Sequence, residues 1–345
     1  MTADTLALVE SPAQLLHVLE WCHAEQSAMR TRLAVLAPTD PGTVAQLRSM
    51  AEFAAEEGIE TEWFAPRASA LAGVRTLATL RREVATARRL VIGDPFSGII
   101  QALLPFAKSS EVVVVDDGTA TLEFASQLEH GTSLRRWDSF RGTGLLRAPL
   151  ARNARSFFAS GQLRLFTVMT VSSLPGSRIQ RHAYDWTRRR FGPPVQLRGL
   201  DVIGSSLAET GVVDTESYLD AVAALAVDTG GGGRYFAHRR ENPDKLRRLA
   251  QRSGLRIVRP TVPLEVELRR GPVATHLASF PSSVGYTLPL VLAGVGTRIT
   301  VQPLPETMIR PHVTEGARAF LDRMADDMRR AASDLAVGAY ELTSA

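Results

Sequence analysis

Short, unbroken apolar runs alternate with longer stretches whose apolar residues recur every third or fourth position, and this alternation restricts the fold more than any other feature of the chain. In the opening TLALVESPAQLLHVLEWCHAE, Leu6 to Val9 read as a buried strand and Ser11 and Pro12 as a turn. Leu15, Leu16, Val18 and Leu19 then read as the apolar side of a helix. The same unit recurs in RLAVLAP with PGTVAQLRSMAEFAAEEG, in IETEWFA with RTLATLRREVATA, in RLVIGDPFSGIIQALLPFA and in SEVVVVDDGTATLEFASQL. Strands that are apolar throughout need cover on both faces, and the intervening helices supply it, so the pattern predicts an α/β fold with parallel sheets. Ligands of such folds gather at the carboxyl ends of the strands.

At 345 residues the chain is too long for one ordinary core and predicts two domains with a cleft between them. The rhythm breaks over residues 135 to 200, where RLFTVMTV is the one clear strand, and this stretch reads as the irregular end of a first domain spanning 1–214. A second series begins with the helix TESYLDAVAALAVDT, the glycine run Gly230 to Gly233, the strand RYFAH, the helix NPDKLRRLAQRSG and the strand LRIVRP. Two further units run through THLASFPSSVGYTLPLVLAG and TRITVQPLP, giving a second domain over 215–315. In 316–345, Phe320, Leu321, Met324, Met328 and Ala332 fall at helical spacing, which predicts an amphipathic helix packing back on the first domain.

Composition removes several classes. A chain with 45% hydrophobic and 22% charged residues is globular. No basic region precedes the first apolar run, and no run approaches the ~18 residues of a membrane span; a cytoplasmic protein is expected. The single cysteine, Cys22, leaves no partner for an internal disulfide and reads as a small hydrophobe on a helix. The two lysines, Lys108 and Lys245, lie outside any G-x-x-x-x-G-K-[ST] loop, which excludes a P-loop nucleotidase. The formal charge of +4 is uneven: residues 135 to 198 hold thirteen arginines against Asp138 and Asp185. Such a block suits an anionic membrane, a polyanionic substrate or nucleic acid, or is simply a solvated arginine-rich face. It lacks a recognition helix and an aromatic stacking array, so no nucleic-acid partner is expected.

Three short motifs sit where strands end. Asp116, Asp117 and Gly118 follow VVVV; a carboxylate there can act as general base toward a hydroxyl, or can cap the helix that follows. His238 ends RYFAH, beside Arg239, Arg240 and a helix announced by Asn242 and Pro243, a setting that favours an anion such as phosphate or, equally, a structural imidazole. Ser282 and Ser283 stand between a strand and a helix, where hydroxyls and free N–H groups cradle an anion or merely cap. Asp117, His238 and Ser282 include the residue types of a hydrolytic triad, but PSSVG lacks the first glycine of a nucleophile elbow.

In their order, D-D-G, then the histidine, then the serine pair, these motifs resemble those of the bacterial sialyltransferases and polysialyltransferases, which carry a [DE]-[DE]-G motif, a His-Pro motif and a Ser/Thr-rich motif. LVESPAQLLHVLE, VIGDPFSGIIQALL and YFAHRREN look like glycosyltransferase family 52 members of that group, and the resemblance spans about residues 5 to 300. The family's His-Pro is His238-Arg239 here, a departure that keeps the imidazole.

The resemblance implies a GT-B architecture of two facing Rossmann-like domains, a CMP-activated sialic acid or related nonulosonate as donor, inversion at the anomeric carbon, and neither metal nor cofactor. It implies Asp117 as general base with Asp116 as helper or alternative. His238 would bond the departing phosphate and can protonate it, with Ser282 and Ser283 on the phosphate oxygens and Arg239 beside them. Glu265 resembles the glutamate that binds the cytidine ribose, with Glu267 two residues along the same expected strand face. Ser11, Pro12, Gln14, Gly93 and Asp94 are expected on the acceptor side, each with an alternative as turn or cap. A glycan or lipid-linked glycan is the expected acceptor, and the arginine block offers peripheral contact with an anionic membrane. A CMP-Kdo or other nucleotide-sugar transferase, or a polyanion-binding protein without activity, are the alternatives.

Overall fold

The computed structural model describes residues 4–136, 147–160, 163–171, 174, 176–227 and 233–341. Part of the arginine-rich block, Gly230 to Gly232 and the side chains of Phe320 and Ala332 lie outside the described residues.

The chain divides into two units, Met1–Trp186 and Thr187–Ala345. The first contains β1 (Thr5–Val9), β2 (Thr31–Leu36), β3 (Glu60–Phe64), β4 (Arg89–Ile92), β5 (Glu111–Val115), β6 (Leu163–Thr167) and β7 (Arg178–Arg181). Its helices are α1 (Pro12–Ala24), α2 (Pro41–Glu56), α3 (Ala70–Thr86), α4 (Gly98–Leu103), α5 (Ala120–Glu129) and α6 (Arg147–Phe158). The strands form one parallel sheet in the order β3-β2-β1-β4-β5-β6-β7, a doubly wound arrangement whose direction of winding reverses between β1 and β4. Every residue of β1 is buried, as expected for a strand covered on both faces. Helix starts follow local chemistry: Ser11, Asp40, Ser69 and Ser97 each accept a hydrogen bond from a backbone N–H of the first turn.

Helix α7 (Asp185–Phe191) spans the division. The second unit contains β8 (Gln196–Ile203), β9 (Arg234–Phe236), β10 (Arg256–Val258), β11 (Val273–Ser279) and β12 (Arg298–Val301), in the parallel order β10-β9-β8-β11-β12. Its helices are α8 (Thr215–Val227), α9 (Pro243–Ser253), α10 (Leu264–Arg270), α11 (Val284–Val291) and α12 (Glu315–Glu341). Winding reverses between β8 and β11. Each unit is thus Rossmann-like, the α/β class predicted for a GT-B chain.

The boundary differs from the predicted one. Residues 187–214 belong to the second unit because β8 is its central strand, hydrogen-bonded to β9 and β11. The first four residues of β8 are exposed and the last four buried, so it shows no continuous apolar run. Helix α6, also unread in the sequence, buries Ala151, Ala154 and Phe158 at helical spacing beneath an arginine-rich exterior. Helix α12 buries Leu321, Met324, Ala325 and Met328. It packs on α11 and β12, so these contacts lie within its own unit. Among the described residues no helix is long and apolar enough to cross a membrane.

Candidate active site

In the first unit the sequence motifs converge on the winding reversal between β1 and β4. Ser11 caps α1 by accepting from the Gln14 N–H at 3.2 Å, with Pro12 as the first helical residue. Gln14 Oε1 turns back to accept from the Glu10 N–H at 2.7 Å. This brings Gln14 against Gly93, where an added Cβ would lie 2.5 Å from Gln14 Oε1; only glycine admits the approach.

Beyond β4, Asp94 accepts from the Phe96 N–H at 2.9 Å and faces Arg136 Nη2 at 3.1 Å. The same Arg136 nitrogen contacts Asp117 Oδ2, while Ser11 Oγ reaches Asp117 Oδ1 at 3.4 Å. The Phe96 ring lies under the guanidinium, 5.8 Å from its centre. Glu10 borders the group, held by Arg67 and by Ser97 Oγ at 2.5 Å. Burial pushes Asp94 up to about 7, opposed by Arg136 and reinforced by the charges of Asp117 and Glu10.

The paired aspartates occupy different environments. Asp116 is fully buried, accepting from Thr167 Oγ1 at 2.5 Å and from the Val168 N–H at 2.7 Å, and burial raises it to about 6. Asp117 is partly exposed, its two oxygens reached by Ser11 and Arg136. Neither caps α5: Thr119 holds the cap position, and the Asp117 N–H donates to Thr121 Oγ1 at 3.1 Å. Gly118 makes the turn between strand and helix at φ +61°.

Behind the pair lie His17, His182 and Tyr184. With Asp116, the two histidines bring three metal-ligand types of atom within 4.8 Å of one another. Hydrogen bonding accounts for the imidazole nitrogens as they stand. The Tyr184 N–H donates to His182 Nδ1 at 3.4 Å, which puts the proton on Nε2 facing His17 Nδ1 at 3.3 Å. His17 Nε2 then donates to the Tyr184 hydroxyl at 3.4 Å. Burial lowers both histidines, His17 to about 4, so both are neutral at pH 7.

In the second unit His238 follows β9 and is half-buried. Its N–H donates to Glu241 Oε2 at 2.6 Å and its Nδ1 accepts from the Arg240 N–H at 3.2 Å, which leaves the proton on Nε2. Burial first, then the charges of Arg239, Arg240 and Lys245, lower its pKa to about 3. Glu241 is the anchor: buried, it also accepts from the Tyr235 hydroxyl at 2.7 Å and pairs with Lys245 at 2.7 Å. Gly204 gives it room, since a Cβ there would lie 2.4 Å from Glu241 Oε2.

Glu265 lies on α10, which corrects the expected strand: Pro263 precedes it, acidic residues fill the first turn and arginines the last, and Gly271 ends it at φ +69°. Two residues apart on a helix do not share a face, so Glu265 and Glu267 are not equivalent. Glu265 accepts from Thr287 Oγ1 at 2.7 Å; burial raises its pKa, while the Thr287 bond and then the charge of Arg239 lower it. Ser282 and Ser283 precede α11 half-buried, and neither hydroxyl has a partner among the described residues. Ser205 and Ser279, at the reversal between β8 and β11, bury unpartnered hydroxyls as well.

The structure therefore gathers Ser11, Pro12, Gln14, Gly93, Asp94, Asp116, Asp117 and Gly118 at one strand-end region of the first unit. It places His238, Arg239, Glu265, Ser282 and Ser283 at strand or helix ends of the second. Sequence reading missed Arg136, Glu10, His17, His182, Glu241 and Gly204. Arg136 stood in an irregular stretch, while H-R-R-E held a signal for Glu241, three residues beyond the histidine whose N–H it accepts.

No protein-family model matches the chain. No curated protein matches it either. Among solved structures, the α/β-galactoside α-2,3-sialyltransferase of Photobacterium phosphoreum matches with a TM-score of 0.49 and 10% identity over 94% of each chain. The E. coli heptosyltransferase with ADP matches at 0.41 and 14% identity, covering 94% of this chain and 98% of that one. A putative UDP-N-acetylglucosamine 2-epimerase of Listeria monocytogenes matches at 0.47 and 11% identity, covering 96% and 88%. Likeness at this level concerns the general course of the chain and assigns no reaction and no residue role.

Proposed function

We propose that this chain is an inverting glycosyltransferase that moves sialic acid or a related nonulosonate from its CMP-activated form to a hydroxyl of a cell-surface glycan or its lipid-linked precursor. The observation that carries the reading is the division of labour in the D-D-G motif. Asp116 is fully buried with its oxygens fixed by Thr167 and the Val168 N–H, whereas Asp117 stands at the exit of β5 with a partly exposed carboxylate held only by side chains, Ser11 and Arg136.

Asp117 takes the proton of the acceptor hydroxyl as that oxygen bonds to the anomeric carbon; the carbon–oxygen bond to phosphate breaks, and its electron pair leaves with CMP. Asp116 keeps the turn in place. His238, its Nδ1 accepting from the Arg240 N–H and its proton on Nε2, donates a hydrogen bond to the departing phosphate. The free hydroxyls of Ser282 and Ser283 and the Arg239 charge support the same oxygens, and Glu265 accepts from the ribose hydroxyls. CMP departs as a phosphate monoester, so donors of this kind can stabilise it without a required metal. Ser11, Pro12, Gln14, Gly93, Asp94 and Gly118 form the acceptor side, and the arginine-rich stretch gives peripheral hold on an anionic acceptor or the inner membrane surface.

Purified protein incubated with CMP-sialic acid and a galactoside acceptor should release CMP with and without chelator, and Asp117→Asn should abolish the release. Undiminished release by that variant removes Asp117 from the chemistry. In a thermal-shift panel of CMP, UDP and GDP, stabilisation by CMP alone supports the donor assignment, and preference for UDP rejects it.

A further inference from the structure

We propose that Asp94 and Arg136 are a positioning pair for Asp117: the two carboxylates share one guanidinium nitrogen, and the charge on Asp94 decides how firmly Arg136 holds the Asp117 oxygen that must receive the acceptor's proton. The inference rests on the reading of Asp117 as base, and deepens it.

The geometry is specific. Arg136 Nη2 faces Asp94 Oδ2 at 3.1 Å and contacts Asp117 Oδ2, so one nitrogen serves carboxylates from the ends of two neighbouring strands, β4 and β5. Arg136 is restrained by the Phe96 ring, and Asp94 by the Phe96 N–H, so neither partner can drift to solvent at little cost. The charged and titratable groups around the pair are Glu10, engaged by Arg67; His17, which feels the Asp117 charge; and buried Asp116. His17 is neutral at pH 7 and Asp116, raised to about 6, is ionised there, so the local balance is set by Glu10, Asp94, Asp116 and Asp117 against Arg67 and Arg136.

When Asp94 is protonated, Arg136 has one charged partner at this point and binds Asp117 at full strength, which opposes proton uptake by that oxygen. When Asp94 ionises, the guanidinium is shared and Asp117 is released toward the acceptor. Burial places the change near neutrality, Asp94 being raised to about 7. Turnover should then rise through that pH range.

The test uses full-length protein with 13Cγ-labelled aspartate. The Asp94 resonance, assigned by its absence in Asp94→Asn, should titrate near 7. Asp117→Asn should move it down, since a like charge is lost, and Arg136→Gln should move it up, each by on the order of one pH unit. Arg136→Lys, which keeps the charge, should leave it close to wild type and serves if the glutamine variant does not fold. An Asp94 that titrates near 4, or that ignores both substitutions, overturns the proposal. On the activity side, Asp94→Asn should flatten the rise of kcat between pH 6 and 8 without a matching change in donor KM; a wild-type pH profile in that variant also overturns it. Loss of the Asp117 assignment would show separately, as unchanged CMP release by Asp117→Asn, while the titration still reports the pair.

Discussion

Replacing Gly204 with alanine tests whether Glu241 organises the histidine end of the second unit. The added Cβ would meet Glu241 Oε2 at 2.4 Å, the Tyr235 hydroxyl at 2.8 Å and the Phe236 carbonyl oxygen at 2.9 Å, whereas ordinary contact begins at 3.4 Å. The carbonyl cannot swing aside, because it accepts the Gly204 N–H at 2.8 Å. The Glu241 carboxylate must therefore move by about 1 Å. Its bonds to His238 N, Tyr235 and Lys245, at 2.6 Å, 2.7 Å and 2.7 Å, do not survive that displacement together. Charge-assisted bonds contribute about 1.5–3 kcal/mol each. Losing one or two, with partial relaxation, costs about 3 kcal/mol, or on the order of a hundredfold in local opening. Hydrogen exchange read by mass spectrometry should show β8 and β9 amides exchanging faster by that factor, with β1 to β5 unchanged. Gly316→Ala, where a Cβ would meet nothing within 4 Å, is the control. Wild-type protection of β8 and β9 in Gly204→Ala would refute the reasoning.

Stability should carry a pH signature of the buried acids. Asp94 is raised to about 7 from 3.8, so it favours the fold while protonated: its contribution is complete below about 4 and is lost as pH rises through 7. Relative to Asp94→Asn, wild type should lose a few kcal/mol across that range in urea titrations, at about 1.4 kcal/mol per unit; a constant difference contradicts this. His17, lowered to about 4, works in the opposite direction below 6.5, so only the difference between the two proteins is diagnostic. Asp201 is buried and accepts from Arg234 Nε at 2.9 Å and the Ala274 N–H at 3.1 Å, so Asp201→Ala should cost about 3–5 kcal/mol in urea unfolding by stranding Arg234. A loss below 1 kcal/mol, roughly the size of an exposed pair, would be inconsistent with that environment. The Cys22 thiol is buried and pushed up to about 11, so a thiol reagent should label it only on unfolding, and rapid labelling of native protein would contradict its burial.

The strands that were legible are those buried on both faces. VVVV became β5 and LALV became β1 because a strand covered on both faces is apolar along nearly its whole length rather than at alternate positions. β8 escaped because half of it is exposed, and α10 escaped because a seven-residue helix offers too few turns for periodicity to outvote the alternation in LEVEL. Among site residues, those directly after such strands could be found by position alone. Asp116 and Asp117 could be found but not told apart.

Local chemistry along the chain determined the two α/β units, the helix starts at Ser11 and Asn242, and the strand-end placing of Asp94, Asp117 and His238, because apolar period and capping act over a few residues. Tertiary structure alone decided that Asp116 is sealed under Thr167 and Val168, that Arg136 serves Asp94 and Asp117 together, and that His238 is neutral with its proton on Nε2. Burial and shared hydrogen bonds are properties of neighbours in space, and the partners concerned stand as far as 52 residues apart in sequence.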